Sequence, residues 1–347
     1  MSKVRIPADA LYPYLCRIML AHGADEEQAQ SSCRNMVWTD LVGRSNHGIV
    51  RLPTFIERMR RGVLKCPARP RFEASSVNMQ LLDGDEGFGQ YVGELGMAKA
   101  IEIARAEGAG AVGVKNSNFF GTGAYFVHQA AKAGMVSLVT SNSVPNVVPH
   151  GGVKTVLGTN PFAFGAPRRN GRSVMGDMAT SALTRSTILE QIRKGLPLAE
   201  GLAIDEEGNP VTDPEKAKTS ALLPIGGAKG YVLGLMVEIL AAVITGAAIS
   251  HGVASMYKNF TASGNNGHFF LAIDISHWMP LEEFYDRLES LLAIIKASAP
   301  DGEVLIPGDR RWKAYDANSS KGILVDAVLR GRFLELSQPH GISTPWT

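Results

Sequence analysis

Short apolar segments that alternate with amphipathic helical segments from residue 76 onward restrict the possible folds more than any other feature of this sequence. In order, the pattern predicts a strand at 77–82, a helix at 90–107, a strand at 111–114, a helix at 122–133 and a strand at 135–140. Gly108 and Gly134 follow the two helices, where glycine commonly ends a helix. This order predicts an α/β layer in which helices cover a sheet.

The connections change character beyond residue 141. Strands predicted at 162–165 and 172–178 are separated by Pro, Gly and Asn residues, which favours hairpins over helical crossovers and hence a mixed sheet. Residues 195–226 show little periodicity and are predicted to form a long connection. A strand at 268–275 and an amphipathic helix at 281–298 follow.

The apolar run 230–249 is about as long as a membrane-spanning helix, but it contains Glu238 and lacks anchoring residues on both flanks. We therefore predict a buried helix there and no membrane segment. Residues 1–7 lack the apolar core of a signal peptide, so we expect a protein that is not secreted.

The first seventy residues are predicted to be helical. Pro7 fits the first turn of a helix that ends at Gly23, and a second helix starts at Asp25. Pro53 cannot lie inside a helix without removing a hydrogen bond. Residues 46–52 are therefore predicted to form a separate turn before a helix that begins at Pro53.

Composition and charge narrow the possible partners. The 347 residues are 45% apolar, enough for a large core, and the net charge of +2 is too small to indicate a nucleic-acid partner. The densest basic stretch has no interleaved aromatic residues and is predicted to be a solvated helix end and loop; it consists of Arg58, Arg60, Arg61, Lys65, Arg69 and Arg71. Another basic segment, around Pro307 and Gly308, is predicted to be a tail before a last helix at 323–333.

Cysteine and histidine usage argues against a metal site or a disulfide framework. Cys16, Cys33 and Cys66 are widely spaced and odd in number, and the eight histidines show no metal-ligand spacing. We expect a reducing, cytoplasmic setting and no bound metal.

His47 and Arg51 place a titratable imidazole and a fixed cation four residues apart. In a helix the two side chains would leave one face about 5–6 Å apart at Cβ, a geometry that Pro53 makes conditional. A guanidinium holds a carboxylate through two parallel hydrogen bonds, and an imidazole can pass a proton near neutral pH. The pair suits a small anionic substrate, although a solvated helix face would give the same spacing.

Glycine-rich and small polar segments supply the other candidates. No Gly-x-Gly-x-x-Gly follows a first strand, so the usual dinucleotide fingerprint is absent. Residues 226–230 precede a helix, where free backbone N–H groups favour a phosphate or carboxylate, with a plain turn as the equal alternative. The runs 141–145, 158–161 and 177–181 concentrate small polar residues at predicted strand ends, where binding groups are common.

Seven motifs occur in a fixed order along nearly the whole chain. They are His47-Gly48-x-x-Arg51, Asn116-Ser117-Asn118-Phe119-Phe120-Gly121, Val148-Pro149-His150-Gly151, Gly158-Thr159-Asn160-Pro161, Asp177-Met178-Ala179-Thr180-Ser181, Leu223-Pro224-x-Gly-Gly-x-Lys229-Gly230 and Pro307-Gly308. In this order they resemble the malate/L-lactate dehydrogenase family of non-Rossmann NAD(P)-dependent oxidoreductases. Residues 148–167 are most similar to the branch that reduces Δ1-piperideine-2-carboxylate and Δ1-pyrroline-2-carboxylate.

The resemblance implies a mixed α+β fold with two domains. Residues 76–277 would form the NAD(P)-binding domain on a largely antiparallel sheet, and residues 1–75 with 278–347 a helical domain for substrate binding and dimerisation. It also implies a homodimer, NAD or NADP as cofactor and a small carboxylate as substrate.

Individual residues receive roles from the same resemblance. His47 matches the proton donor, Arg51 the residue that holds the substrate carboxylate, and Thr159 a position near the substrate. The residues that match the cofactor lining are Phe119, Phe120, Gly121, Thr122, Gly123, Asp177, Met178, Ala179, Gly227, Ala228, Lys229, Pro307 and Gly308. Asn46 and Thr187 match two further catalytic positions.

Three positions depart from the family pattern. Asn46 replaces the usual serine before the histidine, and an amide cannot relay a proton as a hydroxyl does. Phe119 replaces a second histidine that many members carry. Thr187 stands where the imine-reducing branch carries Asp and hydroxyacid dehydrogenases often carry Lys. A charged partner for an iminium nitrogen and one for a second carboxylate are therefore both missing there.

The leading hypothesis is NAD(P)H-linked interconversion of a small 2-oxo acid and its 2-hydroxy acid. Reduction of a cyclic imine such as Δ1-piperideine-2-carboxylate is the first alternative. A nucleotide-binding protein without dehydrogenase activity is the second, although cofactor binding alone would not need both His47 and Arg51.

Overall fold

The computed structural model describes residues 3–73, 76–300 and 303–346. The strands are β1 (Lys3–Ile6), β2 (Arg71–Glu73), β3 (Met79–Asp83), β4 (Ala109–Ser117), β5 (Met135–Ser141), β6 (Phe162–Ala166), β7 (Val174–Met178), β8 (Ala203–Ile204), β9 (Ala221–Leu222), β10 (Asn266–Asp274) and β11 (Ile323–Asp326). The α-helices are α1 (Ala8–Ala21), α2 (Glu26–Leu41), α3 (Leu52–Arg60), α4 (Gly89–Glu107), α5 (Gly123–Lys132), α6 (Arg185–Lys194), α7 (Pro214–Ala217), α8 (Ala228–Glu238), α9 (Leu281–Ala297), α10 (Asp309–Lys321) and α11 (Ala327–Ser337).

Seven strands form the central sheet, in the order β2-β3-β4-β10-β5-β6-β7. Among the described strands of this sheet, β3 and β4 are the one parallel pair, and all other neighbours are antiparallel. β10 lies in the middle, with Phe270 opposite Val112 of β4 and Val139 of β5. The prediction of a mixed, largely antiparallel sheet is confirmed.

Helices α4 and α5 pack on the sheet and on each other. The packing is close because α4 carries glycine where aromatic rings approach: a Cβ on Gly93 would lie 2.6 Å from Phe126, and one on Gly96 would lie 2.9 Å from Phe270. Both rings are fully buried. Burial of such a ring contributes about 1.5–3 kcal/mol. This layer fixes the segment between β4 and α5, which contains several candidate cofactor residues.

A second hydrophobic core joins α1, α2 and α3 to α11. β1 and β11 close this layer as an antiparallel pair, with Ile6 opposite Ile323. N-terminal and C-terminal segments therefore share one core. The division into domains at 1–75 with 278–347 and at 76–277 stays a prediction.

Four segments differ from the predicted secondary structure. Residues 323–326 form β11 instead of the first turn of a helix, because Ile323 and Val325 are buried and the two residues between and after them are exposed. β1 lies in the region predicted to be all helical, since it pairs with β11. α10 occupies the segment predicted to be a tail, and β8, α7 and β9 lie within residues 195–226, which we predicted to be a long connection with little periodicity.

The apolar run 230–249 is not the buried helix that we predicted. It forms most of α8 and a π-helical continuation, Ile239–Val243. One face, with Gly234, Val237 and Ala241, is buried. The opposite face has no cover within one chain and exposes large apolar side chains: Val232, Leu235, Ile239, Val243, Ile244 and Ile249. In the part of the chain that the structure describes, no helix is long and apolar enough to cross a membrane.

The prediction that Arg58 is solvated is wrong, because this residue is only 1% exposed. Its guanidinium donates hydrogen bonds to the backbone carbonyls of Asn259 at 2.7 Å, Ala262 at 3.1 Å and Val63 at 3.4 Å. Buried carbonyls need such donors, and a run of basic residues in a sequence does not reveal which one turns inward. Arg58 thereby ties α3 to the loop that follows Tyr257.

We expect Arg58→Met to lower the free energy of unfolding by about 2–4 kcal/mol, because three carbonyls lose their donor while the aliphatic volume is kept. Urea unfolding followed by tryptophan fluorescence measures this. Arg60→Met is the matched control on the same helix, since Arg60 is exposed, and its effect should stay within about 0.5 kcal/mol. Equal stability of the two variants would contradict the assigned role of Arg58.

Candidate active site

His47 and Arg51 lie on two successive 3-10 turns, Ser45–His47 and Ile49–Arg51, that Gly48 joins. α3 follows directly, with Pro53 in its first turn. The predicted separate turn before a helix is thus confirmed, and helical spacing does not set the distance between the two side chains. Both instead lie against one ring. The centroid of Phe119 is 5.5 Å from that of His47 and 5.9 Å from Cζ of Arg51.

Asp40, at the end of α2, anchors this turn. Its Oδ2 accepts a hydrogen bond from the backbone N–H of Ile49 at 2.7 Å, and a Cβ on Gly48 would lie 1.8 Å from the same oxygen. Residue 48 must therefore lack a side chain while Asp40 holds this position. Burial raises the pKa of Asp40 to about 7, against a smaller opposing effect of the Ile49 hydrogen bond. Asp40 could not be recognised from the sequence, because a carboxylate at the end of a helix gives no signal of this contact.

Arg51 is a half-buried cation that pairs with no carboxylate among the described residues. Its Cζ lies 4.9 Å from the ring centroid of Tyr257 and, as above, near Phe119, so the guanidinium contacts two aromatic rings. Its Nε is buried and has no hydrogen-bond partner, and no described carboxylate forms an ion pair with it. Burial lowers the pKa of Arg51. A guanidinium in these surroundings can bind an anion from solution. Tyr257 was also missed, since its loop carries no recognisable motif.

His47 is uncharged at neutral pH. Burial lowers its pKa to about 4, and the positive charge of Arg51 adds to this effect. The charges of Arg44 and Arg311 act in the same direction, whereas the Asp177 carboxylate opposes them. The imidazole therefore lies within electrostatic range of three cations, two from the turn segment 44–51 and one from α10.

Asp177 joins two of the predicted cofactor segments. Its carboxylate accepts a hydrogen bond from the Thr122 hydroxyl and one from the backbone N–H of Ala124 at 3.2 Å. Arg311 donates to the same oxygen at 3.2 Å. Arg311 was placed in an irregular tail by the sequence, but it lies in the first turn of α10 and points back to the site. Phe120, beside Phe119, stacks on His268 with ring centroids 4.5 Å apart.

A second group forms around Thr159. Its carbonyl accepts hydrogen bonds from the backbone N–H and the hydroxyl of Thr180, at 2.9 and 3.1 Å. The carbonyl of Thr180 in turn accepts from the N–H of Ile225 at 2.9 Å, two residues before Gly227, which directly precedes α8. Met178 and Ala179 lie between Asp177 and Thr180, so this group and the Asp177 group are continuous along the chain. Ala228 and Lys229 are exposed in the first turn of α8.

Thr187 remains apart from the other candidates in its hydrogen bonding. It lies in the first turn of α6, where its hydroxyl is 3.0 Å from that of Thr184 and its N–H donates to the same hydroxyl at 3.3 Å. Neither bond reaches His47 or Arg51. Asn46 lies on the first 3-10 turn, directly before His47.

Two of the predicted cofactor segments lie at the N-termini of helices. Gly227 and Gly308 have positive φ values of 63° and 108° and directly precede α8 and α10 without a capping side chain. Helix N-termini of this kind offer free N–H groups to a phosphate. Pro307 precedes Gly308, and a Cβ on Gly308 would lie 3.1 Å from the carbonyl of Ser173. No cluster of three or more metal-ligating side chains occurs in the described residues.

The sequence matches a protein-family model described as malate/L-lactate dehydrogenase over residues 6–332. The chain therefore belongs to the malate/L-lactate dehydrogenase family, as its motifs predicted. It is 36% identical to a malate dehydrogenase from Pyrococcus abyssi, covering 98% of this chain and 96% of that protein. Two further relatives are the ureidoglycolate dehydrogenase (NAD(+)) of Escherichia coli, 30% identical over 88% of both chains, and the (2R)-3-sulfolactate dehydrogenase (NADP(+)) of Chromohalobacter salexigens, 32% identical over 84% of this chain and 86% of that one.

Solved structures agree with this assignment. The sulfolactate dehydrogenase from Methanocaldococcus jannaschii superposes with a TM-score of 0.92 at 33% identity, covering 98% of both chains. A Δ1-piperideine-2-carboxylate reductase from Pseudomonas syringae superposes with a TM-score of 0.87 at 30% identity, covering 96% of this chain and 99% of that one. The expected fold and dehydrogenase class are confirmed.

Proposed function

We propose that this protein is an NAD(P)-dependent oxidoreductase that interconverts a small 2-oxo acid and its 2-hydroxy acid. The observation that most supports this is the pair of side chains beside the Phe119 ring: a neutral imidazole and a half-buried guanidinium that pairs with no described carboxylate. A 2-hydroxy acid offers a carboxylate to Arg51 and, on the next carbon, a hydroxyl to His47.

In this mechanism Arg51 binds the substrate carboxylate through two parallel hydrogen bonds and so orients the adjacent carbon toward His47. A nicotinamide cofactor supplies the hydride to the carbonyl carbon when it is bound. The imidazolium of His47 donates a proton to the carbonyl oxygen, which becomes the hydroxyl. In the oxidation direction, the neutral imidazole accepts that proton from the hydroxyl.

The charge of Arg51 couples substrate binding to proton transfer. It lowers the pKa of His47 in the free protein, after the larger effect of burial. A bound carboxylate offsets that charge, so the pKa of His47 rises and the imidazolium form needed for reduction becomes more populated. Without a bound anion, the imidazole is neutral above about pH 4 and is suited to act as a base.

NAD or NADP is the proposed cofactor, in line with the names of the two relatives above. The N–H groups at the starts of α8 and α10 would hold its phosphates, with Lys229 exposed beside the first of them. Asp177 accepts hydrogen bonds from both Thr122 and Arg311, and these three side chains would form one wall of the same site.

Thr187 and Arg44 are the residues relevant to the end of the substrate that lies opposite its 2-oxo acid group. Thr187 is a neutral hydroxyl already paired with Thr184, so it offers no charge to a second acidic group. Arg44 is exposed, forms no ion pair with a described residue, and is close enough to lower the pKa of His47. We propose that a substrate with a second acidic group would place it toward Arg44, and that a neutral side chain is also accepted.

His47→Ala should lower kcat by about 10²- to 10⁴-fold and leave cofactor binding near normal, because the lost group acts in the chemical step.

Arg51→Met should mainly raise KM and lower kcat/KM for the same substrate. Initial rates from cofactor absorbance and cofactor affinity from fluorescence check both. Arg61→Met is the control, since Arg61 is exposed and pairs with Glu57. Wild-type activity in His47→Ala would remove this residue from the mechanism.

Reduction of a cyclic imine is the second candidate, and the structural similarity to the piperideine-2-carboxylate reductase favours it. Such a substrate shares the carboxylate for Arg51, but its iminium nitrogen would meet the neutral Thr187. Assays with pyruvate, oxaloacetate, sulfopyruvate and Δ1-piperideine-2-carboxylate separate the two. Turnover of the imine alone would reject the 2-oxo acid proposal, and cofactor binding without turnover of any of them would indicate an inactive nucleotide-binding protein.

We also propose that the protein is a homodimer in which a second copy covers the apolar α8 face, defined as Val232, Leu235, Ile239, Val243 and Ile244. These side chains recur at helical spacing, and each is at least 40% exposed in a single chain. Contiguous apolar patches of this kind mark protein contacts. Because α8 begins at the candidate cofactor segment, the second copy would lie close to the site.

Val232→Asp should convert the dimer to a monomer, since the charge would be buried without a partner in the interface. Light scattering coupled to gel filtration measures the mass. Val328→Asp is the matched control, because Val328 is a half-exposed valine on α11, outside the α8 face. A dimer that persists in Val232→Asp at micromolar concentration would reject this interface.

A further inference from the structure

A cavity of about 600 Å³ lies between α2, α5, α10 and the turn at residues 170–172. None of the candidate site residues lines it. One wall carries rings from three helices; they are Trp38, Tyr125, His128, Trp312 and Tyr315. The rest of the lining is mostly polar or charged, with Arg34, Gln129, Lys132, Asn170, Arg172 and Asp316. Its volume is in the range of small-molecule sites, and the combination of rings with charged groups suits a ligand that is both aromatic and ionic.

The aromatic side chains form one continuous wall. Trp38 stacks on His128 at 5.7 Å between centroids, and Trp312 contacts His128 edge-on at 5.0 Å and Tyr315 at 5.7 Å. His128 belongs to this wall as a neutral ring, since burial lowers its pKa to about 4. Walls of this kind bind planar heteroaromatic rings by stacking. Gln129 adds an amide, which can donate to and accept from the polar edge of such a ring.

Lys132 supplies a positive charge to the cavity. It lines this cavity and also a second one of about 320 Å³ that shares His128 and Gly171 with the first. The other cations of the first cavity are already paired, Arg34 with Glu94 and Arg172 with Asp316. Lys132 forms no ion pair with any residue in the described ranges, and an ammonium in this position is suited to a phosphate.

The two helices α5 and α10, which start at candidate cofactor segments, also contribute residues to the cavity. α5 begins at Gly123, and a rise of 1.5 Å per residue places His128 about 8 Å and Lys132 about 14 Å further along it. On α10, Trp312 donates through Nε1 to the carbonyl of Ser173 at 2.9 Å, the group against which Gly308 also packs. A ligand with a ring in the cavity and a phosphate near Lys132 would therefore lie next to the proposed cofactor site.

We propose that this cavity binds an adenine nucleotide, with the base against the aromatic wall and a phosphate on Lys132. Two sources share this chemistry. One is the adenosine half of the dinucleotide cofactor, and in that case the inference rests on the proposed function. The other is a free nucleotide that binds beside the cofactor.

Isothermal titration calorimetry with ADP tests the site in the full chain. ADP should bind the wild type, and Lys132→Ala should weaken it about tenfold, the loss expected for a charge-assisted hydrogen bond. Lys313→Ala is the matched control, because Lys313 is an exposed lysine of α10 that does not line the cavity, and its affinity should equal that of the wild type. No binding of ADP at millimolar concentration, or equal affinity in Lys132→Ala, would overturn the proposal.

A repeat of the titration with saturating NADH or NADPH separates the two sources. If the dinucleotide displaces ADP and its own affinity falls in Lys132→Ala, the cavity holds the adenosine half of the cofactor. If ADP still binds the dinucleotide complex, and Lys132→Ala weakens ADP alone, the ligand is a free nucleotide. Because only binding is measured, failure to turn over any hydroxy acid would reject the proposed function without changing this result.

Discussion

The hydrogen bond from the backbone of Ile49 to the buried carboxylate of Asp40 holds the turn on which the candidate chemistry depends. His47 and Arg51 come from two 3-10 turns and not from one α-helix, so tertiary contacts set their relative position. This contact requires burial of the Asp40 carboxyl group, which disfavours its charged form. Burial raises the pKa of Asp40 from 3.8 to about 7, so the folded protein binds this proton more tightly than the unfolded chain and loses stability as pH rises across that interval.

In the proposed mechanism, the cation Arg51 binds the substrate carboxylate and His47 transfers the proton. Phe119 and Tyr257 partly cover the guanidinium without giving it a described carboxylate, and in the proposed mechanism the substrate anion takes that place. Burial is the main reason that the pKa of His47 is low, and the positive charge of Arg51 lowers it further. We propose that a carboxylate bound to Arg51 raises the pKa of His47, which would link substrate recognition to proton transfer.

Features of the fold that depend on local chain chemistry could be predicted from the sequence. Pro53 predicted the turn around His47, and the strand and helix periods predicted most of the central sheet. Motifs separated by some fifty residues do meet, as Thr122 and Asp177 show through their hydrogen bond.

Contacts made by tertiary packing could not be predicted in this way. Asp40, Tyr257 and Arg311 reach the site from positions with no local signal, because a sequence does not specify which polar side chain turns inward. Arg58 shows this error within a run of basic residues. The α8 face shows the reverse error, since apolar periodicity predicts burial but does not distinguish burial within one chain from burial between two.

Titration of the His47 imidazole by NMR tests the central claim most directly, with His47→Ala used to assign the signal. The account predicts a pKa near 4 in the free protein. It also predicts a higher pKa with saturating oxamate, whose carboxylate would neutralise Arg51, and in Arg51→Met, which removes the charge. An unperturbed pKa of 6.5 under all three conditions would contradict both the burial of the imidazole and its coupling to Arg51.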